Sequence, residues 1–201
     1  MRKNNTHKTV YLVDDDATIL RSIALFLHDQ HYQVETYSSL AEFKKNLPLK
    51  AMSVLVTDMQ LLNESGLELQ RFLLQENIEV PTLFLSGNSQ AQEIIDALKN
   101  GAYDFLLKPV DPNTLLTQIE KAFTKADLQW QIKHEHNNWA GLFQSLTEKE
   151  KDVAQYIKQG YSNKAIAQIM QVKPDTIKKK RAQILQKMQC DSLPEFIARC
   201  P

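Results

Sequence analysis

Residues 53–58 of the chain read Ser-Val-Leu-Val-Thr-Asp, a short apolar run closed by a carboxylate. A similar run occurs at residues 9–16 (TVYLVDDD), and another, which ends in a hydroxyl, at residues 82–86 (TLFLS). The apolar residues are consecutive rather than alternate, as in strands that are buried on both faces of a parallel sheet. These three runs therefore predict the centre of an α/β sheet.

Two further runs, Gln33–Tyr37 and Asp104–Leu107, extend the pattern. The first of them is half polar, so we expect it at an edge of the sheet. Stretches with helical periodicity begin near Ala17, Ser39, Gly66 and Ser89, and after Pro112. Strands that alternate with helices in this way predict a doubly wound α/β fold with right-handed crossovers.

The composition is that of an ordinary globular protein, with 43% hydrophobic and 24% charged residues in a chain of 201. No apolar run approaches the roughly 18 residues that cross a bilayer. The basic start MRKNNTHK is not followed by the apolar segment of a signal peptide. The two cysteines, Cys190 and Cys200, do not make a disulfide framework. We therefore expect a cytoplasmic protein with no membrane partner.

The sequence changes character after the fifth strand. One long helix is predicted from Pro112 to about Asn138, with a break marked by Asn137, Asn138 and Gly141. The remainder reads as four short helices. Residues 142–201 contain 11 Lys+Arg against 6 Asp+Glu, whereas residues 1–141 contain 13 against 18. An acidic first part and a basic second part indicate a nucleic-acid partner for the second.

Charged side chains follow the predicted strands, at the edge where open α/β sheets bind ligands. Residues 14–16 are three aspartates after the first run, and Asp58 closes the third. Neighbouring parallel strands bring Asp15 and Asp58 together, and a hard cation such as Mg²⁺ stabilises paired carboxylates. Ser86 closes the fourth run and Lys108 follows the fifth. This edge therefore has the groups that phosphoryl transfer needs.

In order and spacing, the motifs VDDD, VLVTD, LSGN and DFLLKP resemble the receiver domain of two-component response regulators, across residues 8–125. The resemblance implies a five-stranded parallel sheet of order 2-1-3-4-5 and phosphorylation of Asp58 by a histidine kinase. The implied ligands of Mg²⁺ are Asp14, Asp15, Asp58 and the Gln60 carbonyl. The implied contacts and switch residues of the phosphoryl group are Lys108, Ser86 and Phe105. Leu61 and Leu62 stand where this family commonly has a proline.

Residues 14–18 also resemble the nucleophile motif of haloacid-dehalogenase-type phosphatases. In that alternative Asp14 is the nucleophile and Asp16 the acid/base. That family needs a further acidic pair after a later strand, and nothing strand-like with paired acids follows Lys108. Asp16 is better explained as the cap of the following helix. We therefore expect a protein that is not an enzyme.

The basic part contains the start and stop signals of a helix-turn-helix. Thr147 and Glu150 match a capping box, Gly160 ends that helix, and Ser162 caps the next one. A third helix is predicted from Pro174 to about residue 188. Two helices joined by a short turn, the second rich in lysine, are typical of DNA-binding proteins.

The third helix has one apolar and one polar face at about 100° per residue. The inward stripe is Ile177, Ile184, Leu185 and Met188, whereas Lys179 and Gln183 face outward with Lys178 and Lys180 on the flanks. Lysine binds phosphates or guanine, and glutamine binds the edge of adenine. Arg181 falls near the apolar stripe, so we expect it to pair or snorkel rather than to contact bases.

The segment from Leu146 to about Ala198 resembles the DNA-binding domain of LuxR-type regulators (the FixJ/NarL class). The resemblance is carried by Leu146-Thr147, Ser162-Asn163-Lys164, Thr176-Ile177-Lys178 and Lys187-Met188. Together with the outward face, it makes the candidate DNA contacts Lys178, Lys179, Lys180, Gln183, Thr176, Asn163 and Lys187.

The two resemblances together predict a receiver domain at residues 1–125, a helical linker at 126–143 that continues the last receiver helix, and a small all-α DNA-binding domain at 144–201. The expected function is that of a transcriptional regulator that binds double-stranded DNA, dimerises when phosphorylated and takes its phosphoryl group from a histidine kinase. A regulator that binds DNA independently of phosphorylation stays open as the alternative.

Overall fold

The structure is a computed structural model of the chain, and it describes residues 8–62, 64–87 and 91–200. The chain divides into two compact units, Met1–Trp130 and Gln131–Pro201. Each unit has an apolar core of its own, the first around a sheet and the second among helices.

Among the described residues, the first unit contains a five-stranded parallel sheet and a small two-stranded hairpin. In chain order the strands are β1 (Thr9–Val13), β2 (Gln33–Tyr37), β3 (Ser53–Asp58), β4 (Gln60–Leu61), β5 (Glu64–Ser65), β6 (Thr82–Ser86) and β7 (Asp104–Leu107). The large sheet has the order β2-β1-β3-β6-β7, and β4 pairs with β5. The predicted order 2-1-3-4-5 is confirmed, as is the position of β2 at an edge.

Helices cover both faces of the sheet: α1 (Ala17–Asp29), α2 (Leu40–Lys44), α3 (Gly66–Gln75), α4 (Ala91–Lys99) and α5 (Pro112–Gln144). Successive side chains of a strand point to opposite faces. Accordingly Val10 and Leu12 of β1 pack with residues of α1 and α5, whereas Tyr11 and Val13 pack with residues of α2 and α3. The predicted doubly wound α/β class is confirmed. Ser89, the predicted start of the fourth helix, lies outside the described residues.

Helix α5 continues beyond its predicted end. The break predicted at Asn137, Asn138 and Gly141 is wrong, because the helix runs without interruption to Gln144. Burial explains the difference: Trp139 is 5% exposed and packs in the core of the second unit, which outweighs the roughly 1 kcal/mol that a glycine costs inside a helix. Although α5 has 33 residues, neither it nor another helix in the described ranges is long and apolar enough to cross a membrane.

The second unit consists of the end of α5 and the four predicted short helices, α6 (Glu148–Lys158), α7 (Asn163–Ile169), α8 (Pro174–Lys187) and α9 (Leu193–Arg199). The capping box of Thr147 and Glu150 is confirmed. Gly160 ends the first of these helices with a φ of 82°, which glycine adopts readily. Of the predicted inward stripe, Ile177, Ile184 and Met188 are at most 1% exposed, and Leu185 is half-buried.

Candidate functional site

Three aspartates meet at the carboxyl end of the sheet. Val13 of β1 is in register with Thr57 of β3, so the residues that follow, Asp14 and Asp58, come side by side. One carboxylate oxygen from each of Asp14, Asp15 and Asp58 lies within 4.8 Å of the others. Asp14 is 3% and Asp58 9% exposed. The structure thus brings the three predicted acidic residues into one cluster, in which Asp15 is half-buried.

Lys108 joins two of these carboxylates. Its Nζ lies 2.7 Å from Asp14 Oδ2 and 2.7 Å from Asp58 Oδ2. Burial raises the pKa of Asp14, and this outweighs the hydrogen bonds from Lys108 and the Asp16 amide, which lower it. Burial on its own lowers the pKa of Lys108, but its hydrogen bonds to Asp14 and Asp58 leave that pKa above its usual value. The ammonium is therefore charged and partly neutralises the cluster.

Backbone amides orient the same carboxylates. The Asp16 N–H donates to Asp14 Oδ1 at 2.9 Å, and the Gln60 N–H donates to Asp58 Oδ1 at 3.1 Å. The Asp16 side chain accepts from the amides of Thr18 and Ile19. Asp16 therefore caps α1, as predicted, and its carboxylate is engaged away from the cluster of three.

The predicted switch residues lie on the next two strands. Ser86 is fully buried at the end of β6, beside β3. Phe105 of β7 is in register with Phe84 of β6 and packs against the buried cluster that contains Met59. The Lys108 N–H donates to the Ser86 carbonyl at 2.7 Å. Ser86 and Lys108 thus lie at the carboxyl ends of neighbouring strands, whereas Phe105 lies two residues before Leu107, the residue that is in register with Ser86.

Gly66 is a residue of this site that sequence reasoning did not single out as functional. A Cβ at this position would collide with the carbonyl oxygen of Asp58 and would lie 2.8 Å from the Phe84 ring. Real Cβ atoms do not approach other atoms so closely, so the backbone of α3 packs here only with glycine. The signal in the sequence was a glycine eight positions after the candidate acceptor.

The donor set fits a hard divalent cation. Mg²⁺ binds oxygen at about 2.1 Å in an octahedron, so that adjacent ligands are roughly 3.0 Å apart and opposite ligands roughly 4.2 Å. The three carboxylate oxygens lie within 4.8 Å of one another, so they are close enough to share one cation after moving toward each other. The Gln60 carbonyl belongs to the backbone segment whose N–H already contacts Asp58.

The candidate DNA contacts fall into two groups. Thr176, Lys178, Lys179 and Gln183 are exposed on α8, and Lys180 is half-buried. Asn163 and Lys187 instead have partners inside the unit. Asn163 Oδ1 accepts from Arg181 Nη1 at 2.6 Å, and Lys187 Nζ lies 2.8 Å from both carboxylate oxygens of Glu150. Arg181 therefore pairs, as predicted.

Glu150 links the capping box to α8. Its carboxylate accepts from Lys187 and from the Thr147 N–H and hydroxyl, and the residue is 5% exposed. The hydrogen bond from Lys187, followed by that from the Thr147 amide, lowers the pKa of Glu150 to about 2. The carboxylate thus holds α6 and α8 together as a charged group.

The order of the sheet and the acidic cluster are those of a receiver domain. The helix-turn-helix of the second unit is typical of a DNA-binding domain. Residues 10–120 match the family model of the response regulator receiver domain, and residues 144–199 match that of the bacterial regulatory proteins of the luxR family. The chain therefore belongs to the response regulators with a LuxR-type output domain, and it is a phosphorylation-dependent transcriptional regulator.

Full-length relatives agree with these matches. The chain is 30% identical over 192 residues to the transcriptional regulatory protein FixJ of Rhizobium meliloti (strain 1021), covering 96% of this chain and 94% of FixJ. It is 29% identical to the tetrathionate response regulatory protein TtrR of Salmonella typhimurium (strain LT2), covering 95% and 91%. The solved structure of the response regulator StyR is 30% identical, with a TM-score of 0.85 over 96% of this chain and 98% of StyR. These matches favour the regulator over the phosphatase alternative.

Proposed function

We propose that Asp58 is the phosphoryl acceptor of this regulator and that a histidine kinase is the donor. The observation that supports this best is the convergence of one ammonium on two carboxylates, since Lys108 Nζ lies 2.7 Å from both Asp14 and Asp58. A cation already paired with the acceptor is placed to pair with the phosphoryl oxygens that replace the lost carboxylate charge.

Each group of the site has a part in the transfer. An Asp58 oxygen forms the new bond to phosphorus while the bond to the kinase histidine nitrogen breaks. The Gln60 N–H and Lys108 hold the two Asp58 oxygens, so the carboxylate is oriented before the reaction. Asp14, Asp15, Asp58 and the Gln60 carbonyl would hold Mg²⁺, which would supply positive charge for the phosphoryl oxygens.

The phosphorylated aspartate offers three strong acceptor oxygens near two donors. Lys108 moves from the Asp58 carboxylate to one of them, and the Ser86 hydroxyl donates to another. The loops that follow β6 and β7 shift with these residues, and Phe105 reorients in the space that opens. The readout is therefore a change in the surface formed by these two strand ends and the helices after them.

The second unit carries the output. We assign α8 to the major groove, with Lys178 and Lys179 on phosphates and Gln183 on a base edge. A homodimer formed on phosphorylation contacts two half-sites about one helical turn apart. Proposed boundaries are a receiver at residues 1–125, a helical linker at 126–143 and a DNA-binding domain at 144–201. A DNA target implies action in the cytoplasm.

Phosphoryl labelling tests the acceptor. Full-length protein incubated with radioactive acetyl phosphate and Mg²⁺ should gain acid-stable, alkali-labile label, and Asp58→Asn should gain none. Asp16→Asn is the matched control, because asparagine also caps helices and the charge change is the same; it should label like the wild type. Label that persists in Asp58→Asn would move the acceptor elsewhere.

DNA affinity separates the two kinds of regulator. A duplex is first selected by the protein from random sequence, and its affinity is then measured with and without beryllofluoride, which mimics the phosphoryl group. Phosphorylation-dependent control predicts that beryllofluoride strengthens DNA binding by the wild type. It also predicts that beryllofluoride has no such effect on Asp58→Asn. Equal affinity in both states would show that the chain binds DNA independently of its acceptor site.

A further inference from the structure

The loop after Asp58 is folded into a small hairpin. β4 and β5 pair antiparallel, with Leu61 opposite Glu64, and the Gly66 N–H donates to the Met59 carbonyl at 3.0 Å. Leu61 and Leu62 occupy positions where the receiver family commonly has a proline. Hydrogen bonds rather than a proline ring therefore set the path of this loop.

Glu64 supplies that attachment. Its Oε2 accepts a hydrogen bond at 3.1 Å from the backbone N–H of Leu40, the residue that opens α2, 24 positions earlier in the chain. Leu61, on the other strand of the hairpin, packs in the same buried cluster as Leu40. The hairpin is thus joined to the start of α2 by a hydrogen bond and shares a buried apolar cluster with that helix.

The same hairpin carries Gln60, whose N–H donates to Asp58 Oδ1 at 3.1 Å. We propose that Glu64 is a positioning residue of the phosphorylation site: by holding the hairpin on α2, it keeps the Gln60 backbone against Asp58. The inference rests on the proposed role of Asp58 and names a residue that acts on it through the backbone. Its effect should reach both the amide contact with Asp58 and the Gln60 carbonyl that is proposed to bind Mg²⁺.

Substitutions at residue 64 separate this role from general packing. Glu64→Gln keeps an oxygen that accepts from the Leu40 N–H, whereas Glu64→Ala removes it. Glu68→Ala is the matched control, because Glu68 is exposed in the first turn of α3 and loses the same charge. Hydrogen bonds to charged groups are among the stronger ones, so Glu64→Ala is expected to have a measurable effect.

The experiment has two readouts on the full-length protein. Amide hydrogen exchange of Gln60 is followed by NMR without Mg²⁺, and labelling by acetyl phosphate is followed as a function of Mg²⁺ concentration. In Glu64→Ala we expect Gln60 exchange to rise about tenfold and the Mg²⁺ concentration for half-maximal labelling to rise about three- to tenfold. Glu64→Gln should stay within about twofold of wild type, and Glu68→Ala should not change.

The outcomes are distinguishable. If Glu64→Ala lowers the melting temperature but leaves Gln60 exchange and the Mg²⁺ midpoint as in wild type, Glu64 is only structural and the inference is wrong. The inference is also wrong if Glu68→Ala shifts both Gln60 exchange and the Mg²⁺ midpoint as much as Glu64→Ala does. If wild type itself takes no label while Gln60 exchange responds to Glu64→Ala, the proposed acceptor role fails and the positioning contact survives.

Discussion

The buried carboxylate of Glu150 gives a prediction whose size follows from the structure. Its pKa is about 2 in the folded protein, against 4.5 for an ordinary glutamate. At about 1.36 kcal/mol per pKa unit, the difference is worth at most about 3.4 kcal/mol of folding free energy. The side chain of its partner Lys187 is 43% exposed, and screening by solvent weakens the attraction between the two charges. We therefore expect Glu150→Gln to destabilise the second unit by about 1–2 kcal/mol at pH 7.

The sign of the pH dependence follows from the lowered pKa. A carboxyl that is more acidic folded than unfolded stabilises the protein fully above its unfolded pKa. That stabilisation is lost as the pH falls from 4.5 toward 2. The free energy of unfolding that Glu150→Gln loses relative to wild type should therefore be the same at about pH 7 and about pH 5.5, and smaller at about pH 3. Glutamine at this position still completes a capping box, so the comparison isolates the charge.

Urea unfolding followed by tryptophan fluorescence measures this difference. The chain has two tryptophans, so a Trp130→Phe background leaves Trp139, which is 5% exposed beside Phe196 in the core of the second unit. Glu148→Gln is the control, because the Glu148 side chain is 86% exposed. The role of the Glu150 charge is contradicted if Glu150→Gln lowers the free energy of unfolding no more than Glu148→Gln does. It is also contradicted if the effect of Glu150→Gln is the same at neutral and acidic pH.

Three further outcomes are expected. Lys179→Ala should reduce the slope of log affinity for DNA against log salt by about 1, whereas Lys187→Ala should leave the slope unchanged because its ammonium is held by a carboxylate; equal slopes for both variants would contradict this. Gly66→Ala should destabilise the first unit by about 1–3 kcal/mol and slow labelling of Asp58, since its Cβ meets the Asp58 carbonyl. Gly141→Ala is its counterpart, with open space around the Cβ, and should stabilise α5 by about 0.5–1 kcal/mol in thermal unfolding. A destabilised Gly141→Ala or an unaffected Gly66→Ala would contradict the packing described.

The sheet was predictable because its signal is local. Each central strand is apolar at consecutive positions, and the predicted apolar run with its closing Asp58, residues 53–58, coincides with β3. The acidic cluster was predictable for a related reason. Once β1 and β3 are neighbours in a parallel sheet, the residues at their carboxyl ends must meet at one edge, which is where Asp14 and Asp58 lie.

The end of α5 was not predictable from local signals. Asn137, Asn138 and Gly141 are weak helix formers, and a local interpretation ends the helix there. The helix continues because Trp139, Leu142 and Phe143 pack in the core of the second unit. That core is made by residues up to 57 positions later in the chain, such as Phe196. Tertiary burial therefore decided a boundary that propensity alone placed too early.

The hairpin after Asp58 was missed for a different reason. β4 and β5 have two residues each, which is too short for any periodicity to appear. Its hydrogen bond to α2 joins Glu64 to a backbone amide 24 residues away. The sequence showed only that leucines replace a proline, which by itself suggests a looser loop. The structure shows instead that pairing and a charged acceptor hold the loop.

Two of the candidate DNA contacts illustrate why a residue that matches a family landmark need not contact DNA. Asn163 and Lys187 were chosen because they match landmarks of the family, and their roles as DNA contacts stay predictions. In the structure their polar atoms pair with Arg181, 18 positions away, and with Glu150, 37 positions away. Both pairs tie α8 to a different helix of the unit, one to α7 and one to α6. A group that holds α8 in place loses that hold if it turns to a phosphate. We therefore expect sequence selection and salt dependence to reside in Lys178, Lys179 and Gln183, and the orientation of α8 to reside in Asn163 and Lys187.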